Sequence, residues 1–380
     1  MRIKTTFKLN ELCYYIFLFL IMIYYAFRKT NMNYEVLNFT LILAIPFVFV
    51  KLLLERYSIK EFIGMGILMI LGVISAVLIG NTSILVSFFI VMGMKNIDYI
   101  PALKVVFYVR LVSCAMILIG VATGLVDNLE YVREEGSEQI RNALGYAHPN
   151  TFGIYCFGII SLWFILYGRK KWKLKLILAF ILNVFSFIMT NSRTSFLLNM
   201  VYLAMVILVN VMKDKKKLQF IAKFSFPFCF IINLILPLLL NTGIGKKLDQ
   251  LLSHRIGLSE SFIRVYGIGP FGKKIANLVT SNAYWHLDSG YLNLFIQFGF
   301  IVGFVCLILY YHTGKTDYNN KYIYAAVIGF AFYGITEDLL SSFLYNYLWI
   351  ILGAAFYDML SPKKENVLQT KIKTLLEDRL

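Results

Sequence analysis

Charge is what this chain has least of. Asp, Glu, Lys and Arg make up 15% of its 380 residues against about 25% in a soluble domain, while 59% of the chain is apolar and its mean hydropathy is +0.70. That balance excludes a water-soluble globular domain. Cysteine is also sparse: Cys13, Cys114, Cys156, Cys229 and Cys306 all fall inside apolar runs, and their odd number and spacing exclude a disulfide framework or a metal cluster. No internal repeat, low-complexity segment or DxD-type metal motif is present. The net charge of +16 does not imply nucleic acid, because a membrane protein collects Lys and Arg in its cytoplasmic loops.

What the chain does have is apolar runs, at about 12–27, 36–54, 62–80, 82–94, 101–126, 150–168, 174–190, 194–212, 218–240, 290–311, 322–335 and 343–359. A membrane-crossing helix takes about 20 such residues, so the reading is an all-α polytopic membrane protein of about twelve spans. Residues 1–360 form one membrane domain, with a long extracytoplasmic loop at 241–289, and 361–380 form a polar cytoplasmic tail. The fourth and eleventh runs are short, and only Asn81-Thr82 separates the third from the fourth, which predicts a tight helical hairpin or a re-entrant element there. The first run lacks a small-residue cleavage site and is expected to remain as a span. Placing the N-terminus inside puts 25 of the 37 basic residues on the cytoplasmic side, which orients the chain with both termini cytoplasmic.

The other face has no topological reason to gather cations, yet Arg141, Arg193, Arg255 and Arg264 lie there. Four segments supply that face: the loop from Asp127 to Pro149, the junction Asn191 to Ser195, the long loop, and the turn Ile335 to Asp338. Helices that span one bilayer bring their ends to one plane, so these segments are expected to converge on one cavity.

Each segment holds candidate chemistry. Arg141 and His148 pair a fixed cation with a group able to carry a proton near neutral pH, and Pro149 and Asn150 also make an ordinary helix start. Arg193 sits between two apolar runs, either snorkelling to the interface or gripping an anion in a wet cavity. Arg255 and Arg264 are nine apart and fall on opposite faces of a helix, which favours Arg255 as the site residue. The turn Gly267-Ile-Gly-Pro-Phe-Gly272 follows no strand and lacks dinucleotide spacing, but it can bring backbone amides near an anion. His286 and Asp288 precede the next span, where Asp288 either orients a hydroxyl or, with Ser289, caps a helix. Glu337-Asp338 reads as a solvated turn or an acid/base pair. Arg110, inside the fifth run, needs a partner that the sequence does not name.

Taken in order, Lys95-Asn-Ile-Asp98, Leu144 to Asn150, Ser192-Arg-Thr-Ser195, Ser253-His-Arg255, Gly267-Ile-Gly-Pro270, Asp288-Ser-Gly-Tyr291 and Phe298-Gly-Phe-Ile301 resemble the O-antigen polymerase and ligase superfamily, specifically the Wzy-type polymerases of capsular and exopolysaccharide repeat units. The resemblance spans about 60 to 357. It implies a glycosyltransferase of the bacterial cytoplasmic membrane that joins undecaprenyl-diphosphate-linked oligosaccharides at the outer face, with undecaprenyl diphosphate as leaving group. Neither a cofactor nor a metal is implied; a flippase and a chain-length regulator of the same pathway are the expected partners.

On that resemblance Arg193 and Arg255 stabilise the departing diphosphate, and His148 or Asp288 activates the acceptor hydroxyl. Arg141, Asn150, Arg264, Gly267, Gly269, His286, Tyr291 and Glu337 contact the substrate. His254 followed by Gly267 echoes the ligases of the same superfamily, which leaves transfer of finished glycan to another acceptor as the near alternative. A lipid-linked oligosaccharide flippase is the alternative from another class; polar residues concentrated at one membrane face favour interfacial chemistry over alternating access.

Overall fold

A computed structural model describes residues 8–30, 35–132, 140–212, 214–279 and 284–360. The expected tail at 361–380, residues 280–283 of the long loop, and Arg2 and Lys4 lie outside the described residues. In chain order the helices are α1 (Leu9–Arg28), α2 (Glu35–Leu53), α3 (Ile59–Ile79), α4 (Ser83–Gly93), α5 (Tyr99–Ala122), α6 (Pro149–Tyr167), α7 (Trp172–Thr190), α8 (Arg193–Val211) and α9 (Lys215–Leu238). Then come α10 (Gly243–Leu251), α11 (Arg255–Tyr266), α12 (Gly290–Ile296), α13 (Phe300–Lys315), α14 (Lys321–Thr336) and α15 (Leu348–Leu360).

Seven of these, α1, α3 and α5 to α9, are long and apolar enough to cross a membrane, and five apolar helices are shorter. The expected hairpin between the third and fourth runs is a helix pair. α3 closes on Gly80, whose φ of +70° is the left-handed geometry a helix stop requires, and α4 begins three residues later. Two runs are broken where continuous helices were expected. The run at 290–311 divides into α12 and α13 at Gly299 (φ +86°), where a Cβ would lie 2.5 Å from the Phe271 backbone. The run at 343–359 is helical only from Leu348.

The all-α expectation also missed two short antiparallel hairpins, β1 (Glu130–Val132) with β2 (Ile140–Asn142), and β3 (Leu278–Val279) with β4 (Tyr284–Trp285). The first buttresses one end of the bundle. Tyr131 donates to the Ala147 carbonyl at 2.6 Å, and the Ala147 amide donates to the Lys29 carbonyl at 2.7 Å.

The C-terminal third is the centre of the molecule. α14 is buried along nearly its whole length against α6, α8, α9, α12 and α13. By contrast α3, α5 and α7 turn Ile67, Ile70, Val112, Ile119, Ile177 and Ile188 outward. An apolar belt of that kind belongs against lipid rather than water.

Between α14 and α15 the chain runs without helix from 337 to 347, yet most of that stretch is buried. Backbone that leaves the helix at membrane depth must find partners inside the protein. Here side chains of neighbouring helices provide them. Ser87 Oγ of α4 donates to the Ser341 carbonyl at 3.3 Å and accepts from the Phe343 amide at 3.2 Å. Tyr310 of α13 donates to the Leu340 carbonyl at 2.9 Å. Arg110 of α5 donates to the Leu344 carbonyl at 2.6 Å, the partner its sequence context left open.

At the opposite end from this stretch, Lys51, Glu55, Glu61, Lys95 and Asn96 tie α2, α3 and the α4–α5 turn together; Lys51 donates to the Lys95 carbonyl at 2.7 Å and Asn96 to Glu55 at 2.6 Å.

One close approach fixes the end of the bundle that carries the polar residues. At Gly153 of α6 an added Cβ would lie 2.4 Å from Ser195 Cβ of α8. Gly153→Ala is therefore expected to part the two helix starts and lower stability by about 1–3 kcal/mol, the usual cost of overpacking, seen as a lower melting temperature in detergent.

Candidate functional site

The helix ends that gather beside Gly153 surround a polar cavity of about 560 Å³. Its wall is drawn from the end of α1 (Arg28, Lys29), the α3–α4 turn (Asn81 to Ser83), the start of α6 (His148, Asn150), His286 and Asp288 before α12, and the non-helical stretch after α14, from Glu337 to Tyr345. Segments distant in sequence meet here, as the sequence led us to expect.

Behind this wall runs one continuous set of hydrogen bonds and ion pairs. Arg141 Nη2 of β2 donates to Asn150 Oδ1 at 2.8 Å, and Ser192 Oγ, next to α8, donates to the same oxygen at 2.8 Å. Asn150 Nδ2 donates to Glu337 Oε1 at 3.2 Å, which also accepts from Arg255 Nη1 at 3.0 Å. Arg255 Nη1 bonds the Thr336 carbonyl as well, and its Nε faces Asp288 Oδ2 at 3.3 Å. Asp288 Oδ1 then meets His286 Nδ1 at 3.3 Å. Helix capping frees Asp288 for this, because Ser289 is the residue that caps α12, accepting from the Leu292 amide at 3.2 Å.

Asp338 stands beside the chain of bonds. Its Oδ2 accepts from Asn293 Nδ2 of α12 at 3.1 Å, and its buried Oδ1 has no hydrogen-bond partner among the described residues. Burial raises the Asp338 carboxyl to about 6, against the pull of His286 and Lys29. Burial likewise raises Glu337 above the usual carboxylate range, with Arg255 opposing it. At His286 burial alone would lower the imidazole, but the bond to Asp288 and its charge outweigh that and raise it.

His148 is a donor rather than a base. Its Nδ1 accepts the Asn150 amide at 3.2 Å, closing the N-terminus of α6, so the neutral ring carries its proton on Nε2. Burial, with Arg141 beside it, lowers this imidazole to about 4 and keeps it neutral at physiological pH.

Of the residues singled out from sequence, Arg141, His148, Asn150, Arg255, His286, Asp288 and Glu337 meet at this cavity or directly behind it. The others lie elsewhere. Arg193 is exposed on the first turn of α8, where its neighbour Ser192 takes the place in the bonds. Arg264 is 73% exposed and faces Glu260 one turn back at 3.7 Å, half a helix turn round from Arg255 as nine-residue spacing dictates. Gly267 (φ +61°) ends α11, and the Gly269 carbonyl accepts from the Phe300 amide at 2.9 Å, so the glycine turn packs on α13. Tyr291 is buried and donates to the Ala331 carbonyl at 2.9 Å.

Sequence reasoning passed over Arg28, Lys29 and Asn81, and left Asp338 as half of a turn. The signal for the first two was available: the span count puts them on the face expected to be extracytoplasmic, where the positive-inside rule expects few cations. Asn81 and Asp338 carried no such signal. Among the described residues, no three His, Cys, Asp or Glu side chains gather to hold a metal ion. Neither family models nor curated proteins nor solved structures give a match to this chain.

The raised Asp338 carboxyl has a stability consequence of definite sign. A carboxyl that folds at about 6, against about 3.9 in an unfolded chain, favours folding below pH 4, and that benefit is lost as pH rises through 6. Asp338→Asn is therefore expected to melt higher than the parent protein at pH 8 and to converge with it at pH 4, as followed by thermal unfolding in detergent.

Proposed function

We propose that this protein is a polysaccharide polymerase. It joins undecaprenyl-diphosphate-linked oligosaccharide repeat units by glycosyl transfer at the outer face of the bacterial cytoplasmic membrane. On this reading the seven long and five short apolar helices make twelve spans with both termini cytoplasmic, and the cavity opens outward. The observation that carries the reading is the cavity itself: cations and carboxylates from separate parts of a membrane-embedded chain meet in one polar hollow at one end of the helix bundle.

The reaction needs a base for the acceptor sugar hydroxyl and positive charge for the leaving diphosphate. Asp338, a wall residue of the cavity whose Oδ1 has no hydrogen-bond partner among the described residues, takes the hydroxyl proton as the hydroxyl oxygen attacks the anomeric carbon. The bond from that carbon to the lipid diphosphate breaks, and its electron pair leaves with undecaprenyl diphosphate. Arg28 and Lys29, on the cavity wall, and the His148 Nε2–H stabilise the charge that develops.

Arg255 serves differently from the role first expected of it. Glu337, Asp288 and the Thr336 carbonyl occupy it, and its side chain is only 11% exposed. It holds the carboxylates in place and leaves the diphosphate to the cavity's own cations.

Purified protein in liposomes, given a synthetic undecaprenyl-diphosphate repeat unit and no nucleotide sugar, is expected to yield a ladder of products and free lipid diphosphate. Asp338→Asn is expected to lower kcat by about 10²–10⁴, the range of general base contributions. Lys29→Gln is expected to lower kcat more than it raises KM, since its charge acts on the leaving group. Transfer to a second acceptor without a ladder would mean a ligase, and no reaction with a correct repeat unit would sink the proposal.

A further inference from the structure

Arg110 is wholly buried midway along α5, where a guanidinium is costly and has no means of shedding its proton. Among the described residues no carboxylate pairs with it. Its Nη2 makes one strong bond, to the Leu344 carbonyl at 2.6 Å, while Nε and Nη1 have no hydrogen-bond partner. The Tyr155 ring lies 5.4 Å from its Cζ, and Gly158 of α6 leaves the room it needs, since a Cβ there would sit 2.2 Å from Nη1. One neighbouring helix, α6, thus shapes itself around this side chain.

The carbonyl it holds belongs to the stretch from 337 to 347, which lines the cavity with Glu337, Asp338, Ser341, Ser342, Leu344 and Tyr345. Neutral side chains, Ser87 and Tyr310, hold other points of that stretch. A charge-assisted bond is roughly twice as strong as a neutral one, so Arg110 is the firm anchor of the far part of the stretch, as Arg255 is at Glu337.

We infer that Arg110 is a positioning residue: from the interior of the bundle, through the Leu344 carbonyl, it sets, together with Arg255 at Glu337, where the non-helical stretch lies against the cavity and presents its carboxylates. The role of those carboxylates rests on the polymerase reading; the placement of the stretch does not.

The test reads placement and activity separately. Ser341, on the cavity wall and 4% exposed, is changed to Cys as a reporter for a polar maleimide; the native cysteines are all buried. Adding Arg110→Met is expected to speed alkylation on the order of tenfold or more, the equivalent of one lost bond to a charged group. A Thr82→Cys reporter across the cavity should be unchanged, and Arg110→Lys should restore most of the protection. Gly158→Ala keeps the charge but displaces the guanidinium, so it should also speed alkylation and remains informative if Arg110→Met fails to fold. Combined with Arg110→Met it should add nothing, because both act through one bond.

Unchanged alkylation in Arg110→Met and Gly158→Ala, or full multiplication of their effects in the double variant, would overturn the inference. Polymer formation is measured on the same proteins, with kcat falling alongside the loss of protection. If the alkylation pattern holds while the parent makes no polymer, Arg110 keeps its role and the polymerase reading falls. If the parent polymerises and alkylation is flat, the reverse is true.

Discussion

Backbone that leaves the helix inside a membrane protein has to be paired by side chains, and the stretch from 337 to 347 obeys that constraint at nearly every step. Ser87, Arg110, Tyr310 and Asn346 are spent on it, Asn346 donating to Tyr310 at 2.7 Å and capping the Leu348 amide at 3.1 Å. In return the bundle gains a wall that a helix does not provide. The stretch is anchored from below through Leu340, Ser341, Phe343 and Leu344, while Glu337 and Asp338 line the cavity.

The same logic governs the polar set behind the cavity. Arg255 bridges Glu337 and Asp288, and so joins the helices of the long loop to the end of α14. Each carboxylate is buried, and each would be costly without the shared guanidinium. Asp338 escapes the arrangement with one oxygen uncommitted, and burial leaves its carboxyl readily protonated.

Much of the helical layout is legible in the sequence because a bilayer writes it in plain terms: apolar runs mark α1 to α9 and α14 closely. The breaks were not legible. An apolar run reads alike whether it is helix or buried strand of coil, so nothing in Phe343 to Tyr347 announces an unwound backbone. Nor does periodicity say which helix is central, because lipid and protein interior are equally apolar. The gathering of Arg141, Asn150, Arg255, Asp288 and Glu337 followed from topology alone, whereas Arg193 misled because its charge stood out and its neighbour Ser192 did not. Arg110 was visible as an anomaly; its partner, a backbone carbonyl more than 200 residues on, has no sequence signature.

The centrality of α14 bears on how the protein is made. Ribosomes deliver α6, α8 and α9 to the membrane well before the helix they enclose, so those three must insert around a vacancy and wait. During synthesis the nascent bundle holds Asn150 and Arg110 before their partners, Glu337 and the Leu344 carbonyl, have been made. Final packing belongs to the last hundred residues, which carry α14 and the partners of Asn150 and Arg110.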